Sequence, residues 1–235
     1  DAAEIAEYGF RFDAALHTAP VSESEDVLFV EDPARDGLFH PRISAQTTEV
    51  YASLSEGQKH AYNRLYDDFF YRRHNDFWRA EAMRKLLPLV DSTRMLVCGE
   101  DLGMIPDCVP DVMRELAILS LEVERMPKAY GVEFGAPAEY TYHSVATPST
   151  HDMSNIRLWW REDRKRTQRY YNDILGLEGV APVECSAELC EQILRRQLSA
   201  RSMLMIAPLQ DWLAVDDSMR ADDAAAERIN DPSNP

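Results

Sequence analysis

The second half of the chain alternates short apolar runs with longer stretches of helical periodicity. Four segments have strand-like composition: Met95–Cys98, Ser120–Glu124, the start of His143–Asp152, and Ser202–Pro208. Pro110–Leu119 and residues 186–200 instead repeat apolar residues at helical spacing. Short buried strands that alternate with helices are typical of a parallel sheet with helical crossovers. We therefore predict an α/β fold here, with Met95–Cys98 as a buried strand.

The first 90 residues follow a different pattern. A capping-box sequence at Ser55 and Gln58 is followed by five apolar and aromatic residues at helical spacing: Tyr62, Leu65, Tyr66, Phe69 and Phe70. Pro88 is expected to end this helical region. We expect the aromatic stripe to be core, with a sugar-stacking surface as the alternative. Residues 1–50 are rich in turns, with one candidate strand at Val27–Asp32. These patterns predict a mainly helical subdomain at residues 1–90 and an α/β domain at residues 91–235.

Charge and cysteine content narrow the function classes. The net charge of −16 opposes binding to nucleic acid, and we interpret the basic run Arg161–Arg169 as the solvated face of a helix. The four cysteines form no CxxC pair and lie at no zinc-ligand spacing, which predicts reduced thiols in a cytosolic protein. No apolar run reaches the roughly 18 residues that a membrane span needs, so no membrane partner is expected.

Carboxylates follow two of the predicted strands directly. Glu100 and Asp101 come after the first strand, and His151 and Asp152 come after the third. The spacing corresponds to about two βα units, and the carboxyl ends of barrel strands form the catalytic face. Paired carboxylates across a cleft are what glycosidic chemistry requires. The alternative is structural, with both pairs serving as helix caps or in hydrogen-bonded loops.

Four segments, in order, resemble glycoside hydrolase family 77, the amylomaltases and disproportionating enzymes. The segments cover roughly residues 95–235: CGEDLGMIPDCVPDVM (Cys98–Met113), HSVATPSTHDMSNIRLWW (His143–Trp160), SMLMIAPLQDWLAVD (Ser202–Asp216) and RINDPSNP (Arg228–Pro235). They are similar to the family's Glu–Asp–Leu–Gly segment, its Thr–His–Asp segment, its final strand and its Asn–x–Pro loop. Met153 after His–Asp resembles the plant-cytosolic and Bacteroidetes-like branch, whose catalytic domain is interrupted by an insertion. The resemblance implies the later strands of a (β/α)8 TIM barrel, preceded by that insertion at residues 1–90.

The resemblance also implies roles for individual residues. Glu100 takes the position of the general acid/base, a role that calls for burial or a neighbouring carboxylate. Asp152 takes the position of the carboxylate that stabilises the transition state, and His151 is expected to bind the same sugar. Asp101 is expected to bind substrate or, like Gln210 and Asp211, to hold the strand ends. Trp159 and Trp160 are expected in the core, with sugar stacking as the alternative.

The family's nucleophile, an Asp in an Arg–x–Asp segment of an earlier strand, has no convincing match. Arg11–Phe12–Asp13 has the letters without a strand context, so we expect this chain to lack the nucleophile. The resemblance implies a retaining 4-α-glucanotransferase acting on α-1,4-glucans in the cytoplasm without a metal or organic cofactor. The chain itself is expected to be a C-terminal catalytic fragment that is inactive alone. An α-glucan hydrolase of a related barrel family and a non-catalytic sugar-binding or assembly module remain alternatives.

Overall fold

A computed structural model describes residues 1–19 and 26–231. The chain divides into two compact units, the first comprising Asp1–Arg84 with Pro106–Cys108 and the second Lys85–Ile105 with Val109–Pro235. Each unit has its own cluster of buried apolar side chains. Within the described ranges, no helix combines the length and the apolar character needed to cross a membrane.

The first unit combines short helices with a small sheet. Its elements are α1 (Ala2–Glu7), α2 (Ala14–His17), β1 (Thr18–Ala19), β2 (Phe29–Glu31), β3 (Phe39–Pro41), α3 (Glu49–Ser53) and α4 (Glu56–Asp68). Strand β2 pairs in parallel with β1 and antiparallel with β3. The predicted strand at Val27–Asp32 is therefore confirmed, while the prediction of a mainly helical region left out the sheet that it belongs to.

The aromatic stripe of α4 forms the core of this unit. Ser55 caps the helix by accepting a hydrogen bond from the backbone N–H of Gln58. Tyr62 is fully buried, and its hydroxyl donates to the carbonyl of Leu28 at 2.8 Å. Tyr66 is also buried and packs in the same cluster. Tyr62, Leu65 and Tyr66 therefore belong to the core as predicted, whereas Phe69 and Phe70 follow α4 and are only half-buried.

The long helix α5 (His74–Asp91) passes through Pro88 and ends three residues later. The expectation that Pro88 ends the helix was wrong. Proline removes one backbone N–H, and a helix near its end can lose that single bond without breaking. The next turn is closed because the backbone N–H of Ser92 donates to the carbonyls of Pro88 and Leu89.

The second unit contains a parallel sheet of β4 (Ser120–Val123), β5 (Ser144–Thr147) and β6 (Leu204–Met205), in that order. Ser120 is level with Ser144, and Val145 is level with Leu204. The predicted strands at Ser120–Glu124 and at the start of His143–Asp152 are confirmed, and the last predicted strand is shorter than expected. These pairings establish an α/β architecture built on parallel strands.

The prediction that Met95–Cys98 is a buried strand was wrong. Only one bridge joins this segment to the sheet, from Cys98 to Leu119 in parallel, and Met95 and Leu96 are 78% and 59% exposed. An apolar run indicates a preference for burial, but side chains are buried only where other elements cover the faces of a strand, and the consecutive residues Met95 and Leu96 are both exposed. Here the segment lies at the edge of the sheet, beside β4 alone.

Helices cover one face of the sheet. They are α6 (Val109–Glu115), α7 (Ile156–Glu162), α8 (Arg164–Arg169), α9 (Ala187–Leu198) and α10 (Leu209–Leu213). Met205 and Ala207 pack into a cluster that includes Trp160 and Leu194. On the other face of β6, Leu204 is 36% exposed, and beyond the strand end Ile206 is 58% exposed. The covered face thus supports the strand ends, while the opposite face is open at β6.

Candidate active site

Charged side chains follow the edge segment Met95–Cys98 and strands β4 and β5, all at the carboxyl end of the sheet. Glu100 follows the edge segment, Arg125 follows β4, and His151 and Asp152 follow β5. Because all the strands are parallel, their carboxyl ends lie at the same end of the sheet. Strand β4 alone separates the strand of Glu100 from that of Asp152, so two spacings of ~4.8 Å place the strand ends roughly 10 Å apart.

The side chain of Glu100 is exposed. One of its carboxylate oxygens accepts a 2.7 Å hydrogen bond from the backbone N–H of Leu102. This is the local loop contact that the structural alternative predicts. The burial expected for a general acid is absent around Glu100 in this chain.

Asp101 has the opposite environment, with only 4% of its surface exposed. Its Oδ1 accepts from the backbone N–H of Leu121 at 3.0 Å, and its Oδ2 lies 2.8 Å from Lys128 Nζ. Leu119, two residues earlier in the chain, donates instead to the backbone carbonyl of Val97. Asp101 therefore takes over the next hydrogen bond of the ladder and fixes the point where the edge segment leaves β4.

A third charged side chain joins this contact. Lys128 Nζ also lies 3.3 Å from Glu122, and the three residues line a cavity of about 200 Å³ beside α6. Burial raises the pKa of Glu122, and Lys128 partly opposes this shift. The arrangement is a partly buried ion cluster, in which Asp101 is buried and Lys128 and Glu122 retain contact with solvent.

His151 and Asp152 form the exposed tip of a loop. Their side chains are 72% and 51% exposed, and His151 Nε2 lies 3.2 Å from Asp152 Oδ2. Asn230 Nδ2 donates a 2.6 Å hydrogen bond to the other oxygen, Asp152 Oδ1. Asn230 belongs to the segment that resembles the Asn–x–Pro loop, of which Pro232–Pro235 lie outside the described residues.

Gln210 and Asp211, which follow β6, were predicted to hold the strand ends, and they make different hydrogen bonds. Asp211 is 1% exposed, accepts from Ser149 Oγ at 2.6 Å, and accepts from the backbone N–H of Ile156 at 2.8 Å. Burial raises the pKa of Asp211, while these two hydrogen bonds and the charge of Arg125 oppose the shift. Gln210 Nε2 donates to the carbonyl of Glu227 at 3.3 Å.

Arg125 is a site residue that the sequence reasoning missed. It is 7% exposed, and its guanidinium donates to the carbonyls of Pro148 at 2.9 Å and Ser154 at 2.7 Å. The same group lies 4.9 Å from the centre of the Trp159 ring. Burial lowers the pKa of Arg125 to about 10, and the carboxylate of Asp211 opposes that shift. The available signal was a charged residue directly after a strand, the same pattern that identified Glu100 and Asp152.

A cleft of about 300 Å³ opens beside Asp152. Its lining combines carboxylates, guanidinium groups and an indole ring: Arg125, Asp152, Met153, Trp159, Glu162 and Arg166 are among its residues. Carboxylates and arginines can bind sugar hydroxyls through several hydrogen bonds at once. The lining is therefore chemically suited to an uncharged, polyhydroxylated ligand.

The basic run and the tryptophans contribute mainly to structure. Trp160 is fully buried and Trp159 is 7% exposed, so both belong to the core as predicted. The basic run is not one solvated helix face, because Asp163 caps a new helix within it. Arg164 donates to the carbonyl of Ala181, and Arg166 to those of Arg125 and Glu133. Within the described part of the chain, no cluster of His, Cys, Asp and Glu side chains could hold a metal ion.

Comparison with known proteins gives one consistent family. The profile of glycoside hydrolase family 77, described as 4-alpha-glucanotransferase, matches residues 29–235. The 4-alpha-glucanotransferase DPE2 of Oryza sativa subsp. japonica is 40% identical over 211 residues, covering 90% of this chain and 22% of the rice protein. A 4-alpha-glucanotransferase of Chlamydia caviae is 31% identical over 149 residues, covering 63% of this chain and 28% of that protein.

Among solved structures, the amylomaltase from Streptococcus agalactiae in complex with acarbose aligns with a TM-score of 0.44 at 20% identity. The alignment covers 58% of this chain and 25% of that one. The chain thus spans about a quarter of the length of the proteins that it matches.

Proposed function

Because the chain belongs to glycoside hydrolase family 77, the 4-alpha-glucanotransferases, we propose that it is the C-terminal catalytic part of a longer enzyme of that activity. The substrates are α-1,4-glucans, and the acceptors are glucose or other glycans. The observation that carries the proposal is the placement of Glu100 and Asp152. Both carboxylates are exposed to solvent at the carboxyl end of a parallel sheet. Strand β4 lies between the edge segment that precedes Glu100 and strand β5, which precedes Asp152.

The proposed mechanism is a retaining double displacement. A carboxylate nucleophile attacks the anomeric carbon while Glu100 protonates the departing oxygen, and Glu100 then deprotonates the acceptor hydroxyl that resolves the glucosyl-enzyme. Asp152 stabilises the distorted, cationic transition state by binding ring hydroxyls, with His151 at the same sugar. The roughly 10 Å between the strand ends suits two groups that flank a bound sugar ring.

The nucleophile comes from a part of the longer enzyme outside this chain. The contacts of the Arg–x–Asp sequence at residues 11–13 favour a structural role, because Asp13 caps α2 by accepting a hydrogen bond from the backbone N–H of Ala15. Phe12 packs edge-on against Phe29 in the core of the first unit. We therefore expect no disproportionation of maltotriose by the 235-residue chain alone.

The same proposal includes a (β/α)8 barrel as the fold of the longer enzyme and the cytosol as its compartment. The parallel strands and the open face at Leu204 and Ile206 suit the later strands of a (β/α)8 barrel, with residues 1–90 as an insertion. The four free cysteines suit the reducing cytosol, since Cys185 and Cys190 carry buried thiols 3.4 Å apart.

The test compares the longer enzyme with its Glu100→Gln variant on maltotriose. Loss of a general acid costs about 10²–10⁴ in turnover, and Gln keeps the size and a hydrogen-bonding oxygen. Glu115→Gln, a substitution at an acidic residue on the far end of α6, is the matched control and should keep wild-type turnover. A ladder of longer oligosaccharides indicates transfer, whereas glucose and reducing ends alone indicate a hydrolase. Full turnover in Glu100→Gln would refute the assignment.

A further inference from the structure

We propose that Arg125 is a positioning residue that holds Asp152 in its catalytic geometry by clamping both ends of the loop that carries it. The inference rests on the proposed function, because it assigns Arg125 to the reaction in which Asp152 takes part. The loop runs from Pro148 to Asn155, between β5 and α7. Nothing in the sequence pattern links Arg125 to it.

The clamp is a two-point contact made by one rigid group. Nε of Arg125 binds the carbonyl of Pro148, and Nη2 binds the carbonyl of Ser154. A guanidinium is planar and presents its N–H groups in a fixed fork, so it sets the distance between two acceptors in a way that an ammonium does not. The separation of the two loop ends is thereby fixed from β4.

Burial is graded along the loop in the way that a clamp requires. Pro148, Ser149, Ser154 and Asn155 are buried, whereas His151 and Asp152 at the tip are exposed. The Trp159 ring closes one side of the guanidinium, which leaves Arg125 little freedom to move. The position of the exposed tip therefore follows from the position of its two buried ends.

A second anchor acts on the same loop from helix α10. Asp211 accepts from Ser149 Oγ, one residue after Pro148, and from the backbone N–H of Ile156, two residues after Ser154. Its carboxylate also offsets the buried charge of Arg125. Two oppositely charged, buried side chains, one just after β4 and one in α10, thus hold the ends of a loop that follows β5.

The test uses the longer enzyme with Arg125→Lys, and with Arg125→Gln if the first variant does not accumulate as folded protein. Lys and Gln both lack the planar fork that sets the distance between the two carbonyls. Misplacing a group that acts in the transition state lowers kcat more than it raises KM, so we expect a loss of about tenfold or more in kcat with KM changed by less than about twofold. Arg164→Lys is the matched control, because Arg164 also binds two backbone carbonyls, those of Trp160 and Ala181, away from this loop.

Two further measurements separate positioning from general stability. Amide hydrogen exchange of residues 149–155 should accelerate in Arg125→Lys and stay at the wild-type rate in both Glu100→Gln and Arg164→Lys. In an Asp152→Asn background, Arg125→Lys should cost less than about twofold in kcat, because a residue acting through Asp152 loses its effect once that carboxylate is gone.

Each result decides the inference. Wild-type kcat in Arg125→Lys, a full additional loss in the Asp152→Asn background, or unchanged exchange in the loop would overturn it. If Glu100→Gln keeps full turnover, the proposed function fails, and the exchange experiment then reports on the clamp independently. Faster loop exchange together with the kcat-specific, non-additive loss establishes Arg125 as a positioning residue.

Discussion

Asn230 donates a 2.6 Å hydrogen bond from its Nδ2 to Oδ1 of Asp152, a residue 78 positions away in the chain. His151 binds the other oxygen of the same carboxylate. Both partners are exposed, so they fix the orientation of Asp152 without removing it from solvent. The segment around Asn230 therefore contributes to the candidate site, although it lies beyond all the strands.

The first prediction tests this contact with a charge. Asn230→Asp in the longer enzyme replaces the amide donor with a second carboxylate beside Asp152, and the two like charges repel each other. We expect the loss of turnover on maltotriose to be larger at low than at high ionic strength, because salt screens the repulsion between exposed charges. Asn230→Ala removes the donor without adding charge, so its loss should be about the same at both salt concentrations. Identical salt dependences for the two variants would contradict the contact.

The second prediction concerns the contact of Asp101 with β4. Asp101→Ala leaves the backbone N–H of Leu121 without its acceptor in a buried position, which costs about 1–3 kcal/mol of unfolding free energy. Asp101→Asn keeps an oxygen for that N–H and should cost less. Asp111→Ala is the control, because its exposed pair with Arg114 contributes about 0–1 kcal/mol. Urea unfolding of the 235-residue chain measures all three, and equal costs for Asp101→Ala and Asp111→Ala would rule out the structural role.

The sequence predicts those elements of the fold whose partners are near in the chain or whose residues are buried on both faces. All four residues of β5 are buried, and its strand-like composition was recognised. The stripe on α4 was recognised because helix periodicity alone defines the face that packs. Met95–Cys98 was placed wrongly because an apolar run does not reveal whether other elements cover it. Pro88 was misplaced because one lost N–H is tolerated in a last helical turn.

The candidate site divides in the same way. Glu100 and Asp152 were predicted as candidates because each follows a strand-like run and each lies in a segment that resembles the family. The contacts of Arg125 with Pro148 and Ser154 go to backbone carbonyls, and every residue has one, so no side-chain pattern could predict them. The contact of Asn230 with Asp152 depends on how a distant segment returns to the strand ends. Such long-range contacts are determined by the three-dimensional fold and leave no local pattern in the sequence.

The third prediction isolates the role of Glu100 as an acid. Fluoride leaves a glycosyl donor without needing a proton, so Glu100→Gln should form the glycosyl-enzyme from α-maltosyl fluoride, with release of fluoride, far faster than from maltotriose. We expect the Glu100→Gln defect on the fluoride to be at least about tenfold smaller than on maltotriose. Release of fluoride ion by the longer enzyme measures the first step. A defect of the same size on both donors would mean that Glu100 acts in some way other than by protonating the leaving group.

The fourth prediction follows from the environment of Asp211. Burial raises its folded-state pKa above the ordinary value of 3.8, against the opposing effects of Ser149, Ile156 and Arg125 and with a small addition from Glu227. A carboxyl with a raised folded pKa binds its proton more tightly in the folded state, so its contribution to stability is complete below pH 3.8 and is lost as pH rises through the folded pKa. Asp211→Asn does not titrate and keeps an oxygen for the Ile156 N–H. The unfolding free energy of wild type minus that of Asp211→Asn should therefore fall as pH rises from below 3.8 towards neutrality.

Asp216 provides a control of opposite sign for that experiment. Hydrogen bonds from the side chain and backbone of Ser218 lower the pKa of Asp216 below 3.8. Its contribution to stability is present above pH 3.8 and is lost as pH falls through the folded pKa, so the same difference for Asp216→Asn should increase with pH in the acid range and then level off. Urea unfolding of the 235-residue chain at a series of pH values gives both curves. A difference for Asp211→Asn that stays level or increases between pH 3.8 and neutrality would show that burial does not favour the protonated form of this carboxyl.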